Sequence, residues 1–173
     1  MSGKATVHAS AVKVGERAVL IRGPSGSGKS RLAFDLILAG RSGQLPPVVL
    51  VGDDRVRLDT AGGELLVSAA AELAGLIEIR GLGIRHCDFV AEAVVALVVD
   101  LAAPDAERLP PPEALQISIS GAKIPRIPVG EGFSPLPLVV AALTTAQGLT
   151  SLNDRPDCFK GIGNHMSPTL ATK

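Results

Sequence analysis

Short apolar runs divide the chain into candidate strands. The runs at 18–21, 48–51 and 94–99 contain only Val, Leu, Ile and Ala, and the run at 76–79 is interrupted only by Glu78. Runs of this length are typical of buried strands, because a buried helix needs about ten residues or more. We therefore predict buried strands at 18–21 and 48–51 and further strands at 76–79 and 94–99.

Glycine-containing turns predict two hairpins. Residues 55–58 and 64–67 flank a turn that ends in two glycines, and residues 116–119 and 122–124 flank a Ser-Gly turn. Glycine readily adopts the positive φ that tight hairpin turns require. The pattern therefore predicts that part of the sheet is antiparallel.

Helical spacing occurs in two segments. The first begins at Lys29 and has Gly40 as its expected C-terminal stop. Its apolar positions are Leu32, Ala33, Leu36 and Ile37. The second predicted helix covers residues 136–147.

These elements predict an α/β fold with a strand-rich mixed sheet and few helices, in which hairpins outnumber βαβ units. The length of 173 residues suits one compact domain, which we assign to residues 1–148. Residues 149–173 carry many Asn, Asp, Pro and Gly. We expect them to form a C-terminal tail that is loose or becomes ordered against a partner.

Composition excludes several classes of partner. Seventeen Lys and Arg balance seventeen Asp and Glu, so no overall field attracts nucleic acid or an anionic membrane. The chain has no Trp or Tyr, so it offers few platforms on which bases could stack. Two cysteines make no disulfide framework, and no apolar run is long enough for a signal peptide or a membrane span. We therefore expect a soluble cytoplasmic protein.

Residues 23–30 read GPSGSGKS and match the P-loop (Walker A) pattern G-x-x-x-x-G-K-[S/T]. A predicted strand precedes the motif and a predicted helix follows it, which is the context that a phosphate-binding loop requires. Lys29 is expected at the β- and γ-phosphates of ATP, and the Ser30 hydroxyl at Mg²⁺. The predicted nucleotide-binding residues are Gly23, Pro24, Ser25, Gly26, Ser27, Gly28, Lys29 and Ser30.

Acidic residues follow the second predicted strand. Asp53 and Asp54 stand directly after the run at 48–51. One carboxylate could bind Mg²⁺ and the other accept the proton of an attacking hydroxyl, or both could be a polar strand end that faces solvent. Glu78, inside an apolar run, would need a partner such as Arg80, Lys29 or a metal ion if it is buried, and a structural ion pair is the alternative.

These stretches together resemble the bacterial HPr kinase/phosphorylase family, specifically its catalytic domain in the short form without an N-terminal domain. The resemblance covers most of the chain and includes VHAS at 7–10, the P-loop, and VGDDRV at 51–56. The most specific stretch is IEIRGLGI at 77–84. The resemblance implies a P-loop domain like the HPr kinase C-terminal domain.

The family resemblance also implies a function. It implies ATP- and Mg²⁺-dependent transfer of phosphate to a serine of HPr, the phosphocarrier protein of the sugar phosphotransferase system, and family members can also remove that phosphate. Asp53 corresponds to the family's general base, with His8 and Asp54 close by. Glu78 corresponds to the acid beside Mg²⁺, and Arg80 to a residue that contacts the phosphates or holds Glu78. A hexamer is the assembly that the resemblance implies.

The chain departs from the family pattern downstream. Where the family has an arginine-rich loop, residues 127–132 read IPVGEG, and Arg126 is the nearby cation. Dephosphorylation has to hold an additional anion, so we expect it to be weak. The segment between Lys29 and Asp53 is also longer than is usual, which leaves Arg41 without a role.

Two other functions are compatible with the same residues. A kinase for a free small molecule would use the same P-loop and acids. A regulatory module that senses ATP without catalysis would use only the P-loop, although it would have no need of a base at Asp53.

Overall fold

The computed structural model describes residues 6–146, which contain eleven strands and two α-helices. The helices are α1 (Lys29–Arg41) and α2 (Pro135–Thr144). The strands are β1 (Thr6–Val7), β2 (Ser10–Val14), β3 (Arg17–Arg22), β4 (Val48–Gly52), β5 (Val56–Ala61), β6 (Glu64–Ala69), β7 (Leu76–Ile79), β8 (Gly83–His86), β9 (Glu92–Leu101), β10 (Gln116–Ile119) and β11 (Ala122–Val129).

Nine of these strands form one mixed sheet, whose main path has the order β1-β5-β6-β9-β3-β2-β4. Strand β9 organises it, because β9 is parallel to β3 and β11 and antiparallel to β6. The β5–β6 and β10–β11 hairpins confirm the predicted antiparallel pairs. The expected strand-rich mixed sheet with few helices is therefore present.

The sheet differs from the sequence prediction at three strands. Strands β1, β2 and β8 were not predicted, and β7 pairs only with β8 in a separate two-stranded sheet. Strand β2 begins with the small residues Ser10 and Ala11, which are fully buried although they give little apolar signal. A short turn at 80–82 joins β7 to β8.

Helix α1 ends one residue beyond its expected stop. Gly40 lies inside the helix, which ends at Arg41, and Gly43 adopts the positive φ of 77° after it. A Cβ added at Gly40 would lie 2.8 Å from the backbone nitrogen of Val48. Gly40 therefore allows α1 to pack closely against the start of β4 and does not terminate the helix.

The core has two parts, one on each face of the sheet. Val19 and Ile21 belong to the part that also contains residues of α1 and α2, while Ala18 and Leu20 belong to the other part. This alternation along β3 follows from the two-residue period of a strand. The sheet thus has both faces covered, and α1 with its preceding loop is held on one of them.

Helix α2 is the last element in the described part of the chain. Helix α2 ends at Thr144, short of the predicted residue 147, and Gln147 itself lies outside the described residues. The predicted tail at 149–173 also lies outside them, so the boundary after residue 148 remains a prediction. Neither of the helices in the described part is long and apolar enough to span a bilayer.

Candidate active site

The loop between β3 and α1 has the backbone of a phosphate-binding site. Gly23, Gly26 and Gly28 all have positive φ, at 149°, 79° and 97°. A Cβ at Gly23 would lie 2.9 Å from the carbonyl oxygen of Leu101, so only glycine fits there. At Gly26 and Gly28 a Cβ would meet no atom within 4 Å, which leaves open space beside the loop.

Helix α1 presents an uncapped N-terminus to this loop. Its N-cap is Gly28, which supplies no side-chain hydrogen bond, and no acidic residue lies in the first turn. The first N–H groups of a helix have no partner within the helix and carry partial positive charge. The open space at the loop together with these donors fits a polyphosphate.

Lys29 provides the cation of the loop. Only 6% of Lys29 is exposed, and its Nζ donates hydrogen bonds of 3.0 Å to the carbonyl oxygens of Gly23 and Pro24. Burial lowers the pKa of Lys29 below its usual 10.5, while the carboxylates of Asp53 and Asp54 act in the opposite direction. The ammonium group therefore lies across the first residues of the loop, near both predicted acids.

Asp53 connects three elements at the end of β4. It is 3% exposed, and its Oδ1 accepts hydrogen bonds from the hydroxyls of Ser10 (2.5 Å) and Ser30 (2.9 Å). Its Oδ2 accepts the backbone N–H of Glu78 at 3.0 Å. The buried carboxylate thus joins β2, α1 and β7 and lies directly beside the predicted Mg²⁺ ligand Ser30.

Asp54 and His8 form a second, more exposed pair. The Oδ1 of Asp54 lies 3.1 Å from Nε2 of His8, and the side chains are 61% and 48% exposed, respectively. Asp54 has the left-handed φ of 65°, which turns the chain between Asp53 and β5. The side chains of Asp53 and Asp54 thus have different environments, although the residues are adjacent in sequence.

A cleft adjoins the P-loop at this second pair. It has a volume of about 520 Å³ and is lined by Thr6, His8, Ser25, Asp54 and Arg55. Ser25 belongs to the P-loop, so the cleft and the candidate phosphate site share a wall. An acceptor hydroxyl that enters the cleft would approach the loop from this side.

The structure corrects the expectation for Glu78 and gives Arg80 no partner. Glu78 is exposed, not buried, because β7 alternates and places Ile77 in the core. Among residues 6–146 no ion pair joins Glu78 to Arg80 or Lys29, and no three His, Cys, Asp or Glu side chains are grouped to hold a metal. For Mg²⁺, the pair that the structure does bring together is Ser30 and Asp53, with the backbone of Glu78 beside them.

Three residues of this region were missing from the predicted site. Ser10 contacts Asp53, and Thr6 and Arg55 line the cleft. Ser10 and Arg55 stand in the stretches VHAS and VGDDRV that carry the family resemblance, which is the signal that could have found them. Thr6 lies opposite Arg57 in the pairing of β1 with β5, which no local pattern indicates.

A network of four charged residues lies next to the first residue of the P-loop. Arg22, which precedes Gly23, donates two hydrogen bonds of 2.8 Å to Asp100. Arg126 donates to Asp100 at 2.5 Å and to both carboxylate oxygens of Asp105 at 2.6 and 2.9 Å. Burial alone would raise the pKa of Asp100, but the two arginines outweigh it and lower the pKa below the usual 3.8.

Arg126 is therefore already paired. Its pKa is raised above the usual value, first by the hydrogen bonds to Asp105 and further by Asp100. It also donates to the carbonyl oxygen of Ala114. The one cation that the sequence offers near residues 127–132 is thus engaged with two carboxylates of the same chain.

Comparison with known proteins identifies the family. Residues 1–151 match the family model described as the HPr Serine kinase C-terminal domain. The chain belongs to this family. The resemblance expected from the P-loop and from the stretches at 51–56 and 77–84 is thereby confirmed.

Relatives of this HPr kinase domain extend the match. The HPr kinase/phosphorylase of Mycoplasma mycoides subsp. mycoides SC is 30% identical over 156 residues, which are 82% of this chain and 48% of that protein. The HPr kinase/phosphorylase of Geobacillus kaustophilus is 41% identical over 110 residues, 59% of this chain and 33% of that protein. The chain thus spans at most about half the length of these relatives.

A solved structure confirms the fold of the HPr kinase domain. The structure of the Hpr(Ser) kinase/phosphatase from Coxiella burnetii aligns with a TM-score of 0.63 at 30% identity. The alignment covers 81% of this chain and 93% of that one. The predicted class, a P-loop domain with a strand-rich mixed sheet, is therefore confirmed.

Proposed function

We propose that the chain is an ATP- and Mg²⁺-dependent kinase that phosphorylates a serine of HPr or of an HPr-like phosphocarrier protein. The observation that supports this most is the position of Asp53. This buried carboxylate is hydrogen-bonded to Ser30 of the P-loop and precedes Asp54, which lines the cleft beside that loop. We choose HPr as the acceptor because the chain belongs to the HPr kinase family.

The loop residues bind the nucleotide in this proposal. The N–H groups at the start of α1 and the ammonium of Lys29 face the phosphates, and Ser30 holds the metal ion, with Glu78 as the further candidate ligand. When bound, Mg²⁺ neutralises charge on the phosphate oxygens. Arg80 is exposed directly after the end of β7. We propose that from this position it contacts the phosphates.

Asp53 accepts the proton of the acceptor hydroxyl in this proposal. As the serine oxygen of the acceptor forms its bond to the γ-phosphorus, the bond to the ADP oxygen breaks, and the hydroxyl proton moves to Asp53. The pair of His8 and Asp54 lies in the cleft and orients the acceptor. Asp53 is held on three sides by donors, so the carboxylate does not have to reorganise during the reaction.

The openness of the cleft favours a protein acceptor over a small molecule. His8 and Asp54 keep about half of their side-chain surface exposed. Sites for small molecules typically enclose about 70–90% of their ligand, and side chains this exposed offer little enclosure by themselves. A folded acceptor could cover the cleft with its own surface and so exclude water.

The proposed acceptor can be tested by measuring which molecules receive a radiolabelled phosphoryl group from ATP. The chain is incubated with labelled ATP, Mg²⁺, HPr-like proteins of the host and a metabolite extract. We expect label in a protein of the size of HPr, and no transfer with the Lys29→Ala variant, because the loop then lacks its cation. Label in a metabolite would favour the small-molecule kinase, and ATP binding without any transfer or hydrolysis would favour the ATP sensor.

We also propose that the protein acts in the cytoplasm as a homo-oligomer, a hexamer by family resemblance. Leu82 and Ile84, at the turn into β8, are 60% and 62% exposed, which supports an interface there. Light scattering of the purified chain should give the mass of a hexamer. A monomer at micromolar concentration would contradict the proposed assembly.

A further inference from the structure

We propose that Arg55, with the hydroxyls of Thr6 and Ser25, forms a subsite for the phosphate group on the acceptor side of the cleft. This inference rests on the proposed kinase function and gives a role to Arg55, a residue of the VGDDRV stretch that the proposed nucleotide site does not use. The ligand chemistry is a phosphate monoester, here the phosphoserine of the product. Three features of the cleft lead to this assignment.

The first feature is the location of Arg55 relative to the P-loop. Arg55 and Ser25 line the same cleft, one from the chain after β4 and the other from the loop before α1. In the proposed reaction the nucleotide occupies the loop and the acceptor enters this cleft. The cation therefore lies on the receiving side of the transfer.

The second feature is the absence of a partner for Arg55. Within the described part of the chain, no carboxylate forms an ion pair with its guanidinium, and Asp54, the carboxylate of the cleft, pairs with His8 instead. The arginines of the network beside the P-loop are engaged with aspartates, as described above. Arg55 thus differs from Arg22 and Arg126 in that its hydrogen-bond donors remain free for an anion.

The third feature is the rigidity of the backbone that carries Arg55. Its N–H donates to the carbonyl oxygen of Asp53 at 2.8 Å, and its carbonyl oxygen accepts the N–H of Ala70 at 3.3 Å. The left-handed turn at Asp54 directly precedes it. An arginine on a fixed backbone loses less freedom on binding, and its planar donors match the oxygens of a phosphate.

Calorimetry with both forms of the acceptor tests this subsite. Wild type, Arg55→Gln and Arg55→Lys are titrated with HPr and with serine-phosphorylated HPr. The control is Arg17→Gln, which removes an exposed arginine, paired with Glu64, at the opposite end of β3, away from the loop. We expect wild type to prefer phosphorylated HPr and Arg55→Gln to lose roughly tenfold to a hundredfold of that preference.

The remaining outcomes distinguish the subsite from the proposed function. Unphosphorylated HPr should bind wild type, Arg55→Gln and Arg17→Gln alike, and Arg55→Lys should keep part of the preference. An unchanged preference in Arg55→Gln, or no preference in wild type, overturns the subsite while the kinase proposal stands. If wild type binds ATP but neither form of HPr, the proposed acceptor is wrong. The affinities for free O-phosphoserine and free serine are then compared in wild type and Arg55→Gln. Only binding of O-phosphoserine that depends on Arg55 supports the subsite.

Discussion

Replacement of Asp53 by asparagine should abolish phosphoryl transfer while the protein stays folded. The side chain accepts three hydrogen bonds, of which two come from hydroxyls and one from a backbone N–H. In Asp53→Asn the amide oxygen can face the N–H of Glu78, and the amide NH₂ group can face Ser10 and Ser30. Both hydroxyls can rotate to accept, so each keeps one hydrogen bond to this side chain.

The cost in stability follows from these three contacts. Hydrogen bonds to a charged group are typically worth about 1.5–3 kcal/mol and neutral ones about 0.5–1.5 kcal/mol, so each bond weakens by about 1 kcal/mol. Because the amide no longer requires a charge to be buried, part of this loss is offset. We expect the free energy of unfolding to fall by less than about 3 kcal/mol. Asp53→Ala would leave the N–H of Glu78 unpaired and is the poorer variant.

The effect on the reaction should be much larger. Loss of a general base typically lowers a rate by about 10²- to 10⁴-fold. Urea unfolding gives the stability of Asp53→Asn, calorimetry gives its affinity for Mg²⁺·ATP, and mass spectrometry gives its rate of transfer to HPr. If Asp53 is the base, transfer fails while nucleotide affinity survives; if it is only a metal ligand, both decline. Asp54→Asn is the control, which we expect to change the metal dependence more than the chemical step.

One result would refute the role of Asp53 altogether. Transfer by Asp53→Asn within about threefold of wild type, well outside the range for a lost base, would mean that another group takes the proton. The exposed pair of His8 and Asp54 would then be the next candidate, because it lines the cleft.

Three further outcomes can be measured. Gly40→Ala should destabilise the protein despite a gain of about 1 kcal/mol in helix propensity, because the Cβ would lie 2.8 Å from Val48 and overpacking costs about 1–3 kcal/mol; a higher midpoint in urea would contradict this. Asp100→Asn should lower stability at pH 7 by about 1–3 kcal/mol. The folded-state pKa of Asp100 lies below the usual 3.8, so the stabilisation is full above that pH and is lost as pH falls through the folded pKa. The difference in stability between the variant and wild type should therefore shrink in acid. A difference independent of pH would disprove the pairing. Inorganic phosphate with phosphorylated HPr should give little pyrophosphate, because that reaction brings two anions together and Arg126 is engaged with Asp100 and Asp105; rapid pyrophosphate release would contradict it.

Local patterns predicted the parts of the fold that depend on near neighbours. The P-loop was predicted with its strand and helix, because glycine spacing and apolar period are both local. The acids at the end of β4 were placed correctly for the same reason, and the structure then separates them into one buried and one exposed side chain. The two glycine turns likewise indicated their hairpins, since positive φ is a property of the turn itself.

The remaining features depend on distant parts of the chain. Gly40 was taken for a helix stop because only the approach of β4 shows why it has no side chain. The run at 76–79 was correctly predicted as a strand, but only the fold shows that β7 lies outside the main sheet and exposes Glu78. Pairing of β1 with β5 sets Thr6 opposite Arg57, and a contact between residues so far apart in sequence leaves no periodic signal.

The most direct measurement of the proposed function is the intact mass of HPr after incubation with the chain, ATP and Mg²⁺. We expect HPr to gain the mass of one phosphoryl group, located on a serine, and an HPr variant with alanine at that serine to gain none. A chain that binds Mg²⁺·ATP but leaves the mass of every HPr-like protein of the host unchanged would contradict the proposal.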